Sequence, residues 1–345
     1  MSNDLVVLKT APFNAESAID RLAEEITPSP AFYVRSNFPV PVLDPEHHVV
    51  TVEGAVTRPL RLSIRDLRDL GTKTVATTME CAGNNRLSLA PLPSGEPWQG
   101  GAVSTGHWSG VPLIAVLEQA RLRSEAAEIL VEGADHGRPK DGPADIPFAR
   151  SLPLDKACHP DTILALEMNG EPLPADHGAP VRLVVPQWYG MASVKWVARI
   201  MAITEPFTGY YQRQRYIYDY GNGGARVPVT AMHVKSVIVS PLDGAEMGSG
   251  RVVVRGQAWS GAGTVVRVEV AVDGGDTWQD ARLLDAPSPY VWCAWEFQWD
   301  AAEPGRHALR SRATDSTGQR QPDTARWNKY GYGSNGVRPL SVYVQ

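Results

Sequence analysis

Apolar and polar positions fall into two regimes along this chain. Up to about residue 230, short alternating or wholly apolar runs are interrupted by helical patterns and proline- or glycine-rich links; beyond it, strict alternation dominates. Residues 14 to 26 carry Ile19, Leu22, Ala23 and Ile26 on one helical face behind Asn14, a good N-cap, so the spacing predicts a short amphipathic helix. From Pro28 to Pro41 repeated prolines forbid a helix and impose an extended segment through Phe32-Tyr33-Val34-Arg35. Val49 to Val56 alternates as a strand. Ser63-Ile64-Arg65-Asp66 resembles a capping box opening a short helix that stops at Gly71. Lys73 to Met79 is β-prone and breaks into small, turn-favouring residues at Cys81. Pro112 opens a helix through Leu113, Val116, Leu117 and Ala120, and Ile129 to Val131 predicts a buried strand ending in a polar turn at Asp135.

In the second regime Val266, Val268, Val270 and Val272 alternate before Asp273-Gly274-Gly275, a tight hairpin signal. Val291, Cys293, Trp295, Phe297 and Trp299 alternate again, and Leu340 to Val344 closes the chain. Strands at this spacing predict an immunoglobulin-like sandwich. The expected fold is therefore α+β: a mixed α/β domain over residues 1–230, followed by an all-β sandwich over 231–345. A chain of 345 residues is long enough for two separate cores.

A formal charge of -5 and the absence of a basic stripe argue against nucleic-acid binding. No apolar run reaches the roughly 18 residues of a membrane span, and Met1 to Leu5 does not read as a signal peptide. The expected location is cytoplasmic as written, or periplasmic if a leader has been removed. Cys81, Cys158 and Cys293 are odd in number and far apart, which supports neither a disulfide framework nor a zinc site. No Cys-x-x-Cys-His string occurs, so no haem is expected.

The stretch richest in chemistry is Thr77-Thr78-Met79-Glu80-Cys81-Ala82-Gly83-Asn84-Asn85-Arg86. A thiol at the end of a strand is followed by a glycine that admits close backbone approach, two carboxamides and a permanent cation, all within five residues. The plain alternative is a buried cysteine acting as a small apolar side chain before a turn.

The string Met-Glu-Cys-Ala-Gly-Asn-Asn-Arg resembles the cysteine loop of the sulfite oxidase family of molybdenum-pterin enzymes. That resemblance implies Cys81 as the single protein ligand to molybdenum, a soft thiolate beside the two sulfurs of a pterin. The extended segment matches the family stretch that lines cofactor and substrate: Arg35 falls on its anion-contacting arginine, Tyr33 and Val34 on cofactor contacts, and Asn37 on a histidine. Arg86 would join Arg35 in holding the anion, and Trp98, in a glycine-rich loop that is not a P-loop, matches a substrate-pocket tryptophan. Asp135 falls on a cofactor-bonding aspartate, against an Asx-turn as its plain reading. The run from Ile163 to Arg182, with Glu-Met-Asn-Gly and Asp-His-Gly-Ala-Pro-Val-Arg, is the second match and implies cofactor roles for His177 and Arg182. Ser193, Val194 and Lys195 match a further cofactor contact. At Leu166 the family is expected to carry a tyrosine, and its loss would remove a hydroxyl near the anion. A family arginine near the C-terminus could fall on Arg326, Lys329 or Arg338. The Ala-Trp-Ser-Gly string at Ala258–Gly261 resembles the family's dimerisation domain.

The resemblance implies a molybdenum-pterin oxidoreductase performing two-electron oxygen-atom transfer, with sulfite as substrate, a separate electron acceptor such as a cytochrome, and a homodimer. An alternative uses the same cofactor to reduce S-oxides, N-oxides or nitrate. A non-enzymatic alternative, a cofactor-free binding or adhesion protein, leaves the cysteine loop without a purpose.

Overall fold

The computed structural model describes residues 4–221, 223–275 and 277–345. Two sheets organise the first part. One is antiparallel and runs Glu171–Pro172, Ile163–Met168, Val103–Pro112 and Lys73–Glu80, with Arg182–Val184 also paired to Ile163–Met168. The other runs Leu60–Ser63, Val49–Gly54, Val197–Ile203, Glu128–Gly137 and Ile146–Pro153, with the Val49–Gly54 and Val197–Ile203 pair parallel. The cysteine strand is thus an edge strand, and residues 81–102 form a long insertion between it and its partner Val103–Pro112.

The helices are short and occur where apolar spacing and capping agree. Ile64–Asp69 begins at Ser63, whose side chain accepts the Asp66 N–H while the Asp66 carboxylate accepts the Ser63 N–H, a complete capping box. Leu113–Ala120 buries Leu113, Val116, Leu117 and Ala120, as the spacing predicts.

Residues 14 to 26 are not an amphipathic helix. Phe13–Ser17 is a strand, and Ile19–Ala23 a 3-10 turn. Long-range pairing wins over local propensity: Asn14 and Ala15 pair with Arg35 and Val34, and the buried Asn14 carboxamide accepts the Ser36 N–H at 2.8 Å instead of capping a helix. Glu16 accepts the N–H groups of Gln99, Gly100 and Gly101 at 3.0–3.2 Å through one carboxylate oxygen. Gly101 is obligatory here, because a Cβ would fall 2.0 Å from the Ser17 carbonyl. The N-terminal segment thereby buttresses the insertion that carries the cysteine loop.

In the second part Lys235–Ser240, Gly250–Trp259, Cys293–Ala301 and Arg282–Leu283 form one sheet. Glu246–Met247, Leu340–Val344, Gly305–Asp315, Val265–Ala271 and Gln279–Asp280 form the other. Cys293, Trp295, Phe297, Trp299 and Ala301 alternate inward as their sequence period requires. The hairpin at Asp273 is wider than the tight turn expected, since pairing across it begins only at Val270 and Gln279. Residue 276 lies outside the described residues. The two cores are not insulated: Trp259 and Trp292, from the sandwich portion, are buried in the apolar cluster of the first part.

Candidate active site

The strand Lys73–Glu80 ends one residue before Cys81, as expected, and the chain turns back as the Asn84 N–H donates to the Cys81 carbonyl at 2.9 Å. The Cys81 N–H donates to the Ala102 carbonyl at 2.8 Å, so both backbone groups are engaged and the thiol is left to face the cavity. Asn85 takes a left-handed conformation at φ 63°, which swings Arg86 back under the loop. A Cβ at Gly83 would collide with the Arg86 guanidinium, so the glycine is what allows the two to lie together. Arg86 Nε donates to the Tyr330 carbonyl at 2.9 Å and Nη1 donates to the Glu96 carbonyl, orienting the fork through backbone groups.

Cys81 lines a cavity that is partly open to solvent. Of the residues singled out in the sequence, Tyr33, Val34, Arg35, Asn37, Asp135, His177, Arg182, Ser193 and Lys195 line it together with Cys81. Arg86, Trp98 and Val194 do not. Trp98 is buried in the apolar cluster that backs Cys81, with Phe32, Tyr33 and Met79. Val194 is fully buried in the main core.

The cavity wall is cationic. Arg182 donates from Nη1 to the His177 carbonyl at 3.0 Å and from Nη2 to the Ser193 carbonyl at 3.2 Å, and its buried Nε has no partner among the described residues. Burial pushes its guanidinium down to about 10. Lys195 donates to Ser36 Oγ at 2.8 Å and to the Asp176 carbonyl at 2.7 Å. Burial lowers Lys195 and raises Asp135, and their mutual attraction opposes both shifts. Asp135 sits on a bulged stretch of Glu128–Gly137, where pairing slips between Glu132 and His136, rather than in an Asx-turn. His177 is pushed down to about 3 by burial and by the charges of Arg182 and Lys195, so it is a neutral ring. Arg35 donates from Nη2 to Asn37 Oδ1 at 2.7 Å and from Nη1 to the Ser36 carbonyl. None of these hydrogen-bond acceptors is a carboxylate, and Arg35, Arg182 and Lys195 outnumber Asp135 and Asp176 in the lining, so the wall offers positive charge and one unpartnered donor, Arg182 Nε, to an anionic ligand. Beside it, burial pushes the Cys81 thiol up while Arg35 and Arg86 pull it back.

Two further features emerge only in three dimensions. Leu166 lies in the apolar core, bordering a separate groove with Pro172, Leu173 and Pro180, and does not reach the cysteine cavity. A tyrosine hydroxyl does occur at the cavity, that of Tyr216, whose backbone sits at φ 52° and whose oxygen lies 3.3 Å from Asn37 Nδ2. A positive φ at a bulky residue is strained backbone held by its surroundings. The aromatic and basic run from Tyr210 to Tyr216 was the sequence signal available for it. None of Arg326, Lys329 and Arg338 lines the cavity: Arg326 stacks on Tyr220 at 3.5 Å, Lys329 lies over Tyr330, and Arg338 bonds the Gln99 carbonyl. The C-terminal segment packs behind the wall: Tyr332 is stacked on Tyr216 and Tyr330 lies beneath Arg215, and neither lines the cavity itself.

Residues 37–211 match the oxidoreductase molybdopterin binding domain, and residues 226–338 match the Mo-co oxidoreductase dimerisation domain. The chain belongs to the sulfite oxidase family of molybdopterin oxidoreductases. Among curated members, mitochondrial sulfite oxidase of Rattus norvegicus is 37% identical over 96% of this chain, which spans 64% of that protein. Sulfite oxidase of Gallus gallus is 35% identical over 93% of this chain and 74% of its own length. The crystal structure of the sulfane dehydrogenase SoxCD from Paracoccus pantotrophus superposes with a TM-score of 0.87 at 30% identity, covering 96% of this chain and 85% of that one. The molybdopterin domain implies a molybdenum-pterin group, and the donor set fits one: a soft sulfur at the wall, and beyond it the Arg182 and Lys195 cations with an unpartnered Nε.

Proposed function

We propose that this chain oxidises sulfite to sulfate, passing two electrons to a separate acceptor. The observation that carries the reading is that Cys81, Arg35 and Tyr216, contributed by three distant stretches of chain, line one cationic cavity. Cys81 would hold molybdenum, while Arg182, Lys195, His177, Ser193 and Asp135 would hold the pterin and its phosphate. When bound, that group supplies a two-electron couple and oxygen-atom transfer. The net change is sulfite plus water giving sulfate, two protons and two electrons.

The protein's own part is binding and orientation. Arg35, fixed by Asn37 and the Ser36 carbonyl, offers charge-assisted hydrogen bonds to the anion. Tyr216 offers a hydroxyl whose other partner is Asn37. Arg86, with Nε and Nη1 tied to carbonyls, adds positive charge behind the thiol. A homodimer through the C-terminal domain accompanies this reading. Placing the hydroxyl on Tyr216 removes the reason to prefer S-oxide or N-oxide reduction.

Elemental analysis of purified wild-type and Cys81→Ser protein, paired with a sulfite and ferricyanide assay, tests the proposal. Molybdenum present in the wild type, lost in the variant, and sulfite-dependent ferricyanide reduction are expected. Molybdenum without sulfite turnover would sink the substrate assignment. The likeness to a protein named sulfane dehydrogenase makes sulfane sulfur the competing substrate, to be run in parallel.

A further inference from the structure

One residue before the cysteine, Glu80 is buried to 1% side-chain exposure and forms an ion pair at 2.5 Å with Lys235, itself 2% exposed, on the first strand of the sandwich. Both carboxylate oxygens are satisfied. Oε1 accepts from Lys235 Nζ and from Asn84 Nδ2 at 3.0 Å, and Oε2 accepts from Trp259 Nε1 at 3.0 Å. Asn84 in turn accepts the Ala102 N–H at 3.1 Å, and the Ala102 carbonyl accepts the Cys81 N–H. The network therefore runs from two sandwich residues, through one carboxylate, to the backbone that aims the thiol. On the other side of Cys81, the Gly333 N–H donates to the Ala82 carbonyl at 2.8 Å. The cysteine is held on both flanks by the C-terminal part of the chain.

We propose that Lys235 is a positioning residue for the metal ligand Cys81, acting through Glu80, so that the C-terminal domain completes the metal site in addition to any dimer contact. The inference rests on the reading of Cys81 as the molybdenum ligand. A buried ion pair adds little net stability against an apolar substitute, but removing one partner leaves an uncompensated charge that the surroundings must move to solvate. Here the element that would move is the cysteine turn, since Asn84 and Glu80 bracket it.

The test compares four full-length proteins: wild type, Lys235→Met, the double variant Glu80→Gln with Lys235→Gln, and Leu309→Ala, which opens a cavity deep in the sandwich without touching the network. Lys235→Met is expected to lose molybdenum affinity by about tenfold or more, the scale of a disrupted partner behind a metal ligand, and to alter the Mo(V) electron paramagnetic resonance spectrum. The double variant, with an amide pair in place of the charges, is expected to restore the wild-type spectrum and content. Leu309→Ala is expected to lower the unfolding temperature while leaving both unchanged. The proposal fails if folded Lys235→Met keeps the wild-type spectrum, if Leu309→Ala reproduces its loss, or if the double variant is as impaired as the single. The double variant decides the matter even where Lys235→Met does not fold. Alkylation of Cys81 by iodoacetamide, mapped on protein expressed without molybdate, gives a metal-independent arm: labelling faster in Lys235→Met than in wild type supports positioning, and equal rates oppose it. A wild type that never binds molybdenum would fell the cofactor reading alone.

Discussion

The ring of Tyr216 lies on that of Tyr332, centroids 5.2 Å apart and planes 25° apart, so a residue of the molybdopterin portion is seated against one of the C-terminal portion at the edge of the cavity. Arg86 lies over the other ring of the pair at 5.6 Å. The hydroxyl proposed to meet substrate is therefore positioned by both halves of the chain.

Tyr216→Phe should keep the fold and the metal while lowering kcat/KM for sulfite by about 10-fold or more, the scale of one hydrogen bond to a charged group. Leu166→Met, which conserves volume in the core, should leave KM unchanged. Steady-state kinetics on the two variants distinguishes the positions. A kinetic loss confined to Leu166→Met would reverse the assignment made from the cavity.

Arg35→Gln removes a cation held by Asn37 and Ser36 at the cavity wall. The expected result is a KM for sulfite raised about 10- to 100-fold with molybdenum content retained. Inhibition by sulfate should weaken in parallel. Unchanged anion affinity would remove Arg35 from the substrate site.

His177 provides a pH signature. Its ring, buried and beside Arg182 and Lys195, is pushed from 6.5 down to about 3, so the folded cofactor-free protein resists protonation that the unfolded chain accepts. The resulting contribution is fully present above pH 6.5 and is lost as pH falls toward 3, by an amount on the order of 5 kcal/mol at most. Thermal unfolding of cofactor-free wild type and His177→Gln between pH 7 and pH 4 measures it. The midpoint should fall more steeply in the wild type; parallel curves would show that the ring is not held neutral.

Much of the architecture was legible because local and global demands agree in it. The capping box at Ser63, the apolar face of Leu113–Ala120, the β-run ending at Cys81 and the inward alternation from Cys293 to Trp299 each satisfy one periodicity, which the tertiary fold then uses. The segment after Asn14 misled for the opposite reason: its helical spacing is real, but Asn14 and Glu16 are consumed by Ser36 and by the 99–101 backbone, partners distant in sequence. Leu166 misled because a motif places a residue along the chain without fixing which face of the strand it occupies. The run from Tyr210 to Tyr216 does not single out Tyr216, because its place depends on a strained backbone and on a ring contributed more than a hundred positions later.

The tryptophans shared between the two cores bear on how the molecule comes apart. Trp259 and Trp292 originate in the sandwich portion yet are buried with the apolar residues of the molybdopterin portion, and Trp292 donates from Nε1 to the Glu25 carbonyl at 2.9 Å. Melting either half would strip cover from the other, so heat should produce one cooperative endotherm where two-domain chains commonly give overlapping ones. Two resolvable calorimetric peaks would show that the halves lose structure independently.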